Sequence, residues 1–258
     1  MTNPAVHLTV LNAGWMTSAL GGFLEGERGS ITYPVPFYVI EHPVGLTVVD
    51  TGLHPQLAHD SARLGALARH FTPDLPEDGS GTVGPRLRAA GFDPDQVVQV
   101  ILTHLHFDHA GGLVELPNAR VLVQRSEWAQ LTDGAALEAA GVNPDDVELG
   151  HDRFEADGDV DVYGDGTVDC LVTPGHTPGH QSVRVRTPDR TYLICGDCAY
   201  LERSLVHEHL PPFGSDRDEQ VRSMRRLAAE QAAGCRLLYG HDPDQWARIE
   251  RDGLYAGA

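Results

Sequence analysis

The stretch Thr103-His104-Leu105-His106-Phe107-Asp108-His109 limits what this chain can fold into more than any other. It follows the β-branched apolar run Val97–Leu102, so three imidazoles and a carboxylate stand where a strand should end. Burying such groups is costly unless they are paired or bind an ion. Imidazole and carboxylate are the donors that zinc-like cations take, so the stretch reads as the first half of a metal site. No thiolates flank the histidines, which excludes a Cys-Cys-His-His finger. The preceding run is too short and too β-branched to be the helix of a His-Glu-x-x-His site.

The remaining segments place further elements around this one. Val6–Leu11 reads as an edge strand, and Thr17–Thr32, rich in Gly and polar residues, as a loop. Phe37–Glu41 and Leu46–Asp50 flank His42-Pro43-Val44-Gly45 as a hairpin. Asp50 then either holds a ligand imidazole from outside the site or sits in an ordinary turn. Pro55–Phe71 carries a helical stripe of Leu57, Ala58, Leu64, Leu67 and Ala68, and Gly84–Ala90 predicts a short helix. Ala110-Gly111-Gly112 predicts a turn where small residues let the backbone approach the site. Arg120–Val123 reads as a strand and Ser126–Thr132 as the opening of a helix, while Gly141–Gly166 is acidic and without periodicity. Asp169–Thr173, Gln181–Arg186, Tyr192–Cys195 and Cys235–Tyr239 read as strands. Ser215–Ala233 is the clearest helix, with Ser215 as its cap and Gly234 past its end.

Three more strand ends deposit metal-type donors: His176, Asp197 and His241. Strands that release their ligands at one end of a sandwich bring them together in space despite their distance in sequence. Four such coincidences point to one centre.

At this point the chain resembles a known family. His104-x-His106-x-Asp108-His109, then Gly175-His176, Gly196-Asp197 and Gly240-His241, is similar to the signature of the metallo-β-lactamase superfamily. That resemblance implies an α+β fold, the αββα sandwich of two mixed β-sheets flanked by helices, with a two-metal site at one edge. Within the superfamily the chain looks like the N-acyl-homoserine lactonases. The details are His104–Gly112 (HLHFDHAGG), Pro174–Gln181 (PGHTPGHQ), Gly196-Asp197, and Tyr200 three residues beyond Asp197. The resemblance implies that His104, His106 and His176 hold the first metal, that Asp108, His109 and His241 hold the second, and that Asp197 bridges them. It further implies catalytic roles for Tyr200, as a phenol polarising the ring carbonyl, and for Asp108, as the proton shuttle to the leaving alkoxide. Two divalent ions, zinc first and manganese, cobalt or iron as alternatives, would share a hydroxide that opens the lactone ring. Cys195 and Cys198 flank Gly196-Asp197 where the family more usually has small non-thiol residues. The segments that would shape an acyl-chain pocket, around Met16–Phe23 and Leu64–Phe71, match no motif of the family.

Composition narrows the alternatives. With 19 basic and 37 acidic residues the net charge of −18 repels phosphate backbones and anionic membranes, so the expected partner is a small lactone rather than nucleic acid or membrane. With 41% hydrophobic residues the chain can bury a core as one domain spanning 1–258, as monomer or homodimer. The absence of an 18-residue apolar run, and of a basic-then-apolar start, makes the cytoplasm the default location. Four scattered cysteines do not make a disulfide framework, and Cys195-Gly-Asp-Cys198 reads as buried small residues ahead of a redox pair. His180 reads as a hydrogen-bonded structural histidine and His207-Glu208-His209 as a solvated loop. His7, His42, His54, His59, His70 and His151 have no motif context.

Other branches of the superfamily fit less well. Class B1 lactamases use a Cys ligand and lack the His after the motif's Asp, flavo-diiron oxidoreductases need Glu at position 106, and glyoxalase II enzymes carry a helical domain after the last ligand. An RNA-processing nuclease of this fold should be basic. A phosphotriester or aryl-ester hydrolase stays open, as does a non-catalytic metal-binding or redox-sensing module using Cys195 and Cys198.

Overall fold

The computed structural model describes residues 6–132, 137 and 141–252. Its first sheet comprises β1 (His7–Ala19), β2 (Ser30–His42), β3 (Gly45–Val49), β4 (Phe71–Asp74), β5 (Val97–Ile101), β6 (Arg120–Gln124) and β7 (Arg153–Ala156). Their order across the sheet is β4-β1-β2-β3-β5-β6-β7. The second sheet comprises β8 (Val160–Asp161), β9 (Val168–Val172), β10 (Gln181–Arg186), β11 (Thr191–Ile194) and β12 (Arg236–Leu238), in the order β12-β11-β10-β9-β8. Both sheets are mixed. The β3-β5-β6-β7 and β11-β12 pairings are parallel and the remaining ones antiparallel.

Alternation along each strand explains the layers. Tyr38, Ile40, Val49, Ile101 and Leu122 face inward from the first sheet to meet Val168, Cys170, Val183, Val185 and Ile194 of the second. Their neighbours Phe37, Val39, Val48, Val100, Val121 and Val123 face the other way and pack under the Val83–Ala89 helix and the segment around Leu113. On the far side of the second sheet, Leu171, Leu193 and Leu237 lie under Met224 and Leu227 of the Arg217–Ala232 helix. Strands apolar on both faces read as continuous runs, which is why β5 and β6 stood out in the sequence. The result is helices, sheet, sheet, helices. Among the described residues no helix is long and apolar enough to cross a membrane.

Several segments differ from their expected form. β1 runs on through Ala19, into the segment expected to be a loop; its His7–Leu11 stretch pairs only with β2, at the sheet edge as expected, while Trp15–Ser18 pair with β4 as well. Its register with β2 shifts between Asn12 and Trp15, opposite Pro34 and Pro36, which cannot donate ladder hydrogen bonds. The Asn12 side chain accepts from Val35 N there at 3.0 Å. Pro55–Phe71 forms 3-10 segments, Pro55–Ala58 and Ser61–Arg69, instead of one α-helix: the chain breaks at His59–Asp60, where the Asp60 carboxylate caps the second segment, and that segment is itself interrupted at Gly65 (φ 54, ψ −128). The stretch 141–166 contains a helical turn, Pro144–Val147, and the strands β7 and β8. Ala110–Gly112 is helical rather than an open turn. The long helix is capped by Asp216, whose carboxylate accepts from Glu219 N at 2.9 Å, and Ser215 instead donates to Gly175 O.

Candidate metal centre

Four strands end at one rim and each delivers donors. β5 releases His104 and His106, and the helical turn Phe107–Ala110 carries Asp108 and His109. His176 follows β9, Asp197 follows β11 and His241 follows β12. The seven residues singled out in the sequence converge as two groups. His104, His106, His176 and Asp197 form one, and Asp108, His109 and His241 the other, with the donor atoms of each group within 4.8 Å of one another.

Asp197 stands between the groups and turns one oxygen toward each. Its Oδ2 lies 3.3 Å from His176 Nε2 and 3.7 Å from His104 Nε2. Its Oδ1 lies 3.2 Å from both His109 Nε2 and His241 Nε2. Asp108 faces the second group, with Oδ2 3.6 Å from His241 Nε2. His176 Nε2 and His106 Nδ1 are 3.0 Å apart.

Hydrogen bonds behind the imidazoles decide which nitrogen faces inward. His109 Nδ1 donates to Asp50 Oδ2 at 2.8 Å, which leaves Nε2 bare toward Asp197. His104 Nδ1 meets Thr103 Oγ1 at 3.0 Å, and that hydroxyl donates onward to Asp50 Oδ2 at 2.9 Å. His241 Nδ1 donates to Pro34 O at 3.0 Å. Asp50 therefore takes the outer role that was one of its two readings, and it does so with a left-handed backbone (φ 58) that Asp tolerates. Gly112 shows why small residues follow the motif: a Cβ there would lie 2.2 Å from Thr51 O.

The donor chemistry of this arrangement fits a cation. His104 Nε2, His109 Nε2, His241 Nε2 and Asp197 Oδ1 are buried without a hydrogen-bond partner. Unpaired buried polar atoms are costly and rare, and four of them aimed at one another fit divalent cations held by nitrogen and oxygen donors. Charge is poised accordingly. Burial pushes His104, His106 and His176 below the ordinary imidazole range. Burial also opposes charge on His109 and His241, but Asp197 chief among the neighbouring carboxylates outweighs it and holds both above that range. Burial alone would raise Asp197; His109 and His241 instead draw it well below the carboxylate range.

His180 is a structural histidine, as expected. Its Nδ1 meets Thr173 Oγ1 at 2.9 Å, and its Nε2 accepts from Asp197 N at 3.0 Å, fixing the loop that carries Asp197. Burial lowers its pKa to about 3, so it stays a neutral acceptor. Tyr200 is buried with its hydroxyl 3.3 Å from His176 Nδ1, and burial pushes the phenol well above its ordinary range. Cys195 and Cys198 are fully buried beside Asp197 and burial pushes both thiols up, so neither is the exposed thiolate a redox sensor needs. Of the expected solvated loop, His207 ends the Glu202–His207 helix and is exposed, Glu208 is exposed and pairs with Arg225, and His209 is half-buried with Nε2 2.8 Å from Glu25 O.

Above the centre opens a cavity of about 780 Å³, with Asp108, His176, Asp197, Tyr200 and His241 on its floor. Its walls include Phe23, Tyr33, Leu67, Phe71, Phe107 and Phe213. Both segments without a family motif, Met16–Phe23 and Leu64–Phe71, contribute to these walls. His70, left without context by the sequence, lies at the wall too. Tyr33, stacked edge-on to His241 with ring centroids 5.1 Å apart, was not singled out, because an aromatic in mid-strand carries no signal of its orientation.

Two mixed sheets between helices, with clustered histidines and aspartates at one rim, define a class of metal-binding αββα proteins. Residues 31–234 match the family model of the metallo-beta-lactamase superfamily, and the chain belongs to that superfamily. Among curated relatives it is 35% identical over 235 residues to the N-acyl homoserine lactonase AttM of Agrobacterium fabrum, covering 88% of this chain and 89% of that one. It is 29% identical over 220 residues to an N-acyl homoserine lactonase of Bacillus thuringiensis, covering 83% and 84%. Among solved structures it is similar to an N-acyl homoserine lactone hydrolase with the product N-hexanoyl-L-homoserine bound at its catalytic metal centre. The TM-score is 0.84, with 26% identity over 96% of this chain and 97% of that one.

Proposed function

We propose that this chain is a metal-dependent hydrolase that opens the lactone ring of N-acyl-homoserine lactones and so silences a diffusible bacterial signal. The observation that carries the reading is Asp197, with one carboxylate oxygen turned to each donor group directly beneath an apolar-walled cavity. The identity to lactonases along nearly the whole chain supports the substrate class.

In this reading His104, His106 and His176 would hold one ion and Asp108, His109 and His241 the other, with the Asp197 carboxylate, one oxygen turned to each group, available to both. Divalent ions bound there supply Lewis acidity and a water whose pKa falls from about 15.7 toward about 7. The chain's own residues do the rest. With His176 Nδ1–H donating to the Tyr200 oxygen, the phenol proton is free to point at the substrate carbonyl. There it meets negative charge that grows only as the tetrahedral centre forms. Burial keeps that proton on the phenol at neutral pH. Asp108, at the cavity floor, is placed to receive a proton and return it to the departing ring oxygen. Asp50 and His180 keep imidazoles and backbone in register, and the aromatic walls exclude water and receive the acyl chain.

The same reading takes zinc as the ion and a single domain over 1–258, as monomer or homodimer. Its partner is a small lactone; the net charge of −18 disfavours nucleic acid and anionic membrane. Four free, buried cysteines suit the reducing cytoplasm. A hydrolysis panel tests the function: short and long acyl-homoserine lactones, a plain γ-lactone, a thioester, a β-lactam and a phosphotriester. The acyl-homoserine lactones should turn over fastest, with activity lost to a chelator and restored by added ions. Faster turnover of the β-lactam or phosphotriester, or indifference to chelator, would overturn it.

A further inference from the structure

Glu127 has no exposed surface, although it sits in the first turn of the short Arg125–Trp128 helix, where an acid ordinarily faces water. Its Oε1 accepts from Leu105 N at 3.1 Å and its Oε2 from Gly179 N at 2.9 Å. Leu105 lies between His104 and His106, and Gly179 lies three residues beyond His176. One carboxylate thus joins two loops that hang from different sheets and that together carry all three histidines of the first donor group. Both partners are N–H donors, which suits an acceptor-only carboxylate. Burial pushes this carboxyl above its ordinary range, and the Thr177 side chain, then these two N–H groups and the Gln130 side chain, oppose that rise.

The second donor group is supported elsewhere. His109 leans on Asp50, and His241 leans on Pro34 O. Neither contact involves Glu127.

We propose that Glu127 is the positioning residue of the three-histidine half-site: its two hydrogen bonds set the spacing of the His104–His106 loop and the His176 loop, and with it that half-site's affinity for its ion. This rests on the two-ion reading above. Glu127 touches neither ion nor substrate; it acts through the backbone that holds the ligands. Replacing it with Gln turns one acceptor oxygen into an NH₂ that faces a backbone N–H. One loop must then let go.

The test uses the full chain and its Glu127→Gln and Glu127→Asp variants, stripped with chelator and titrated with Zn²⁺ or Co²⁺ against a chromophoric chelator. Ion content, the Co²⁺ absorption spectrum and Tm of stripped and loaded forms are read together. In E127Q one of the two ions should bind about 10–100-fold more weakly while the other keeps its affinity. Tm should fall further in the loaded form than in the stripped form. E127D keeps the charge but reaches only one loop, so it should be intermediate, and it carries the test if E127Q does not accumulate folded. Two ions bound at wild-type affinities, with Tm lowered equally in both forms, would make Glu127 a core acceptor only and overturn the proposal. A wild-type chain that binds no ions overturns it as well. A wild-type chain that binds two ions yet opens no lactone refutes the proposed function and leaves Glu127 to be judged by its ion affinities.

Discussion

Replacing Asp50 with Asn probes an outer support that reaches His109 directly and His104 through the Thr103 hydroxyl. Asp50 is buried and accepts three hydrogen bonds, from Thr103 N at 2.8 Å, Thr103 Oγ1 at 2.9 Å and His109 Nδ1 at 2.8 Å. An amide keeps the shape but has one acceptor oxygen. If that oxygen faces Thr103 N, the NH₂ meets His109 Nδ1 and drives the proton of His109 to Nε2, the atom that faces Asp197. If the amide flips, the NH₂ meets Thr103 N–H and one buried donor is left unpaired. Either outcome costs about 1–3 kcal/mol. At about 1.4 kcal/mol per decade, that is roughly a 5–150-fold loss in affinity for the ion on His109, overlapping the 10–100-fold usual for such outer partners. Competition against a chromophoric chelator reads the two ion affinities separately. The His109 ion should weaken by this factor, and the three-histidine ion, whose His104 reaches Asp50 only through Thr103 Oγ1, should weaken less. Unchanged binding of both ions would refute the argument that Asp50 selects the His109 tautomer.

Three further outcomes are expected. Tyr200→Phe should lower kcat by about 10²–10³ with unchanged ion content, since it removes a donor to developing charge and no ligand; wild-type turnover would remove the phenol from catalysis. Asp197→Asn should cost at least one ion by elemental analysis, and full occupancy would contradict a carboxylate shared by both groups. In the stripped protein His109 and His241 hold protons to above the ordinary imidazole range, so protons compete with ions for the same nitrogens. Ion affinity should therefore fall as pH drops below their raised pKa values and level off above them, with protons released on loading in weakly buffered solution; affinity flat across this range would contradict the competition.

The donors of the centre were legible because each is a residue type with little other reason to sit at a strand end. Asp50 was half legible: its place after β3 was clear, and only the fold shows that His109 lies 2.8 Å away. Glu127 was invisible, because a Glu just past β6 looks like any acid at a helix start, and its burial depends on a loop from the other sheet. The end of β1 was misread for a similar reason. Thr17–Ala19 lead into a Gly-rich polar stretch, and only pairing with β2, and with β4 through Ser18, makes them strand. The stripe over Pro55–Phe71 caught Leu57 and Leu64, which are buried, but Ala68 is exposed, and the pattern could not register the break at Gly65.

The seam between the two sheets has a consequence beyond chemistry. His104, His106, Asp108 and His109 come from the first sheet's side, and His176, Asp197 and His241 from the second's. Neither half of the chain owns a complete coordination shell, so bound ions would act as a clasp across the sandwich. Catalytic competence then doubles as proof of assembly: a half-docked folding intermediate has nothing with which to attack a substrate, and a protein that loses its ions loosens along the same line where it works.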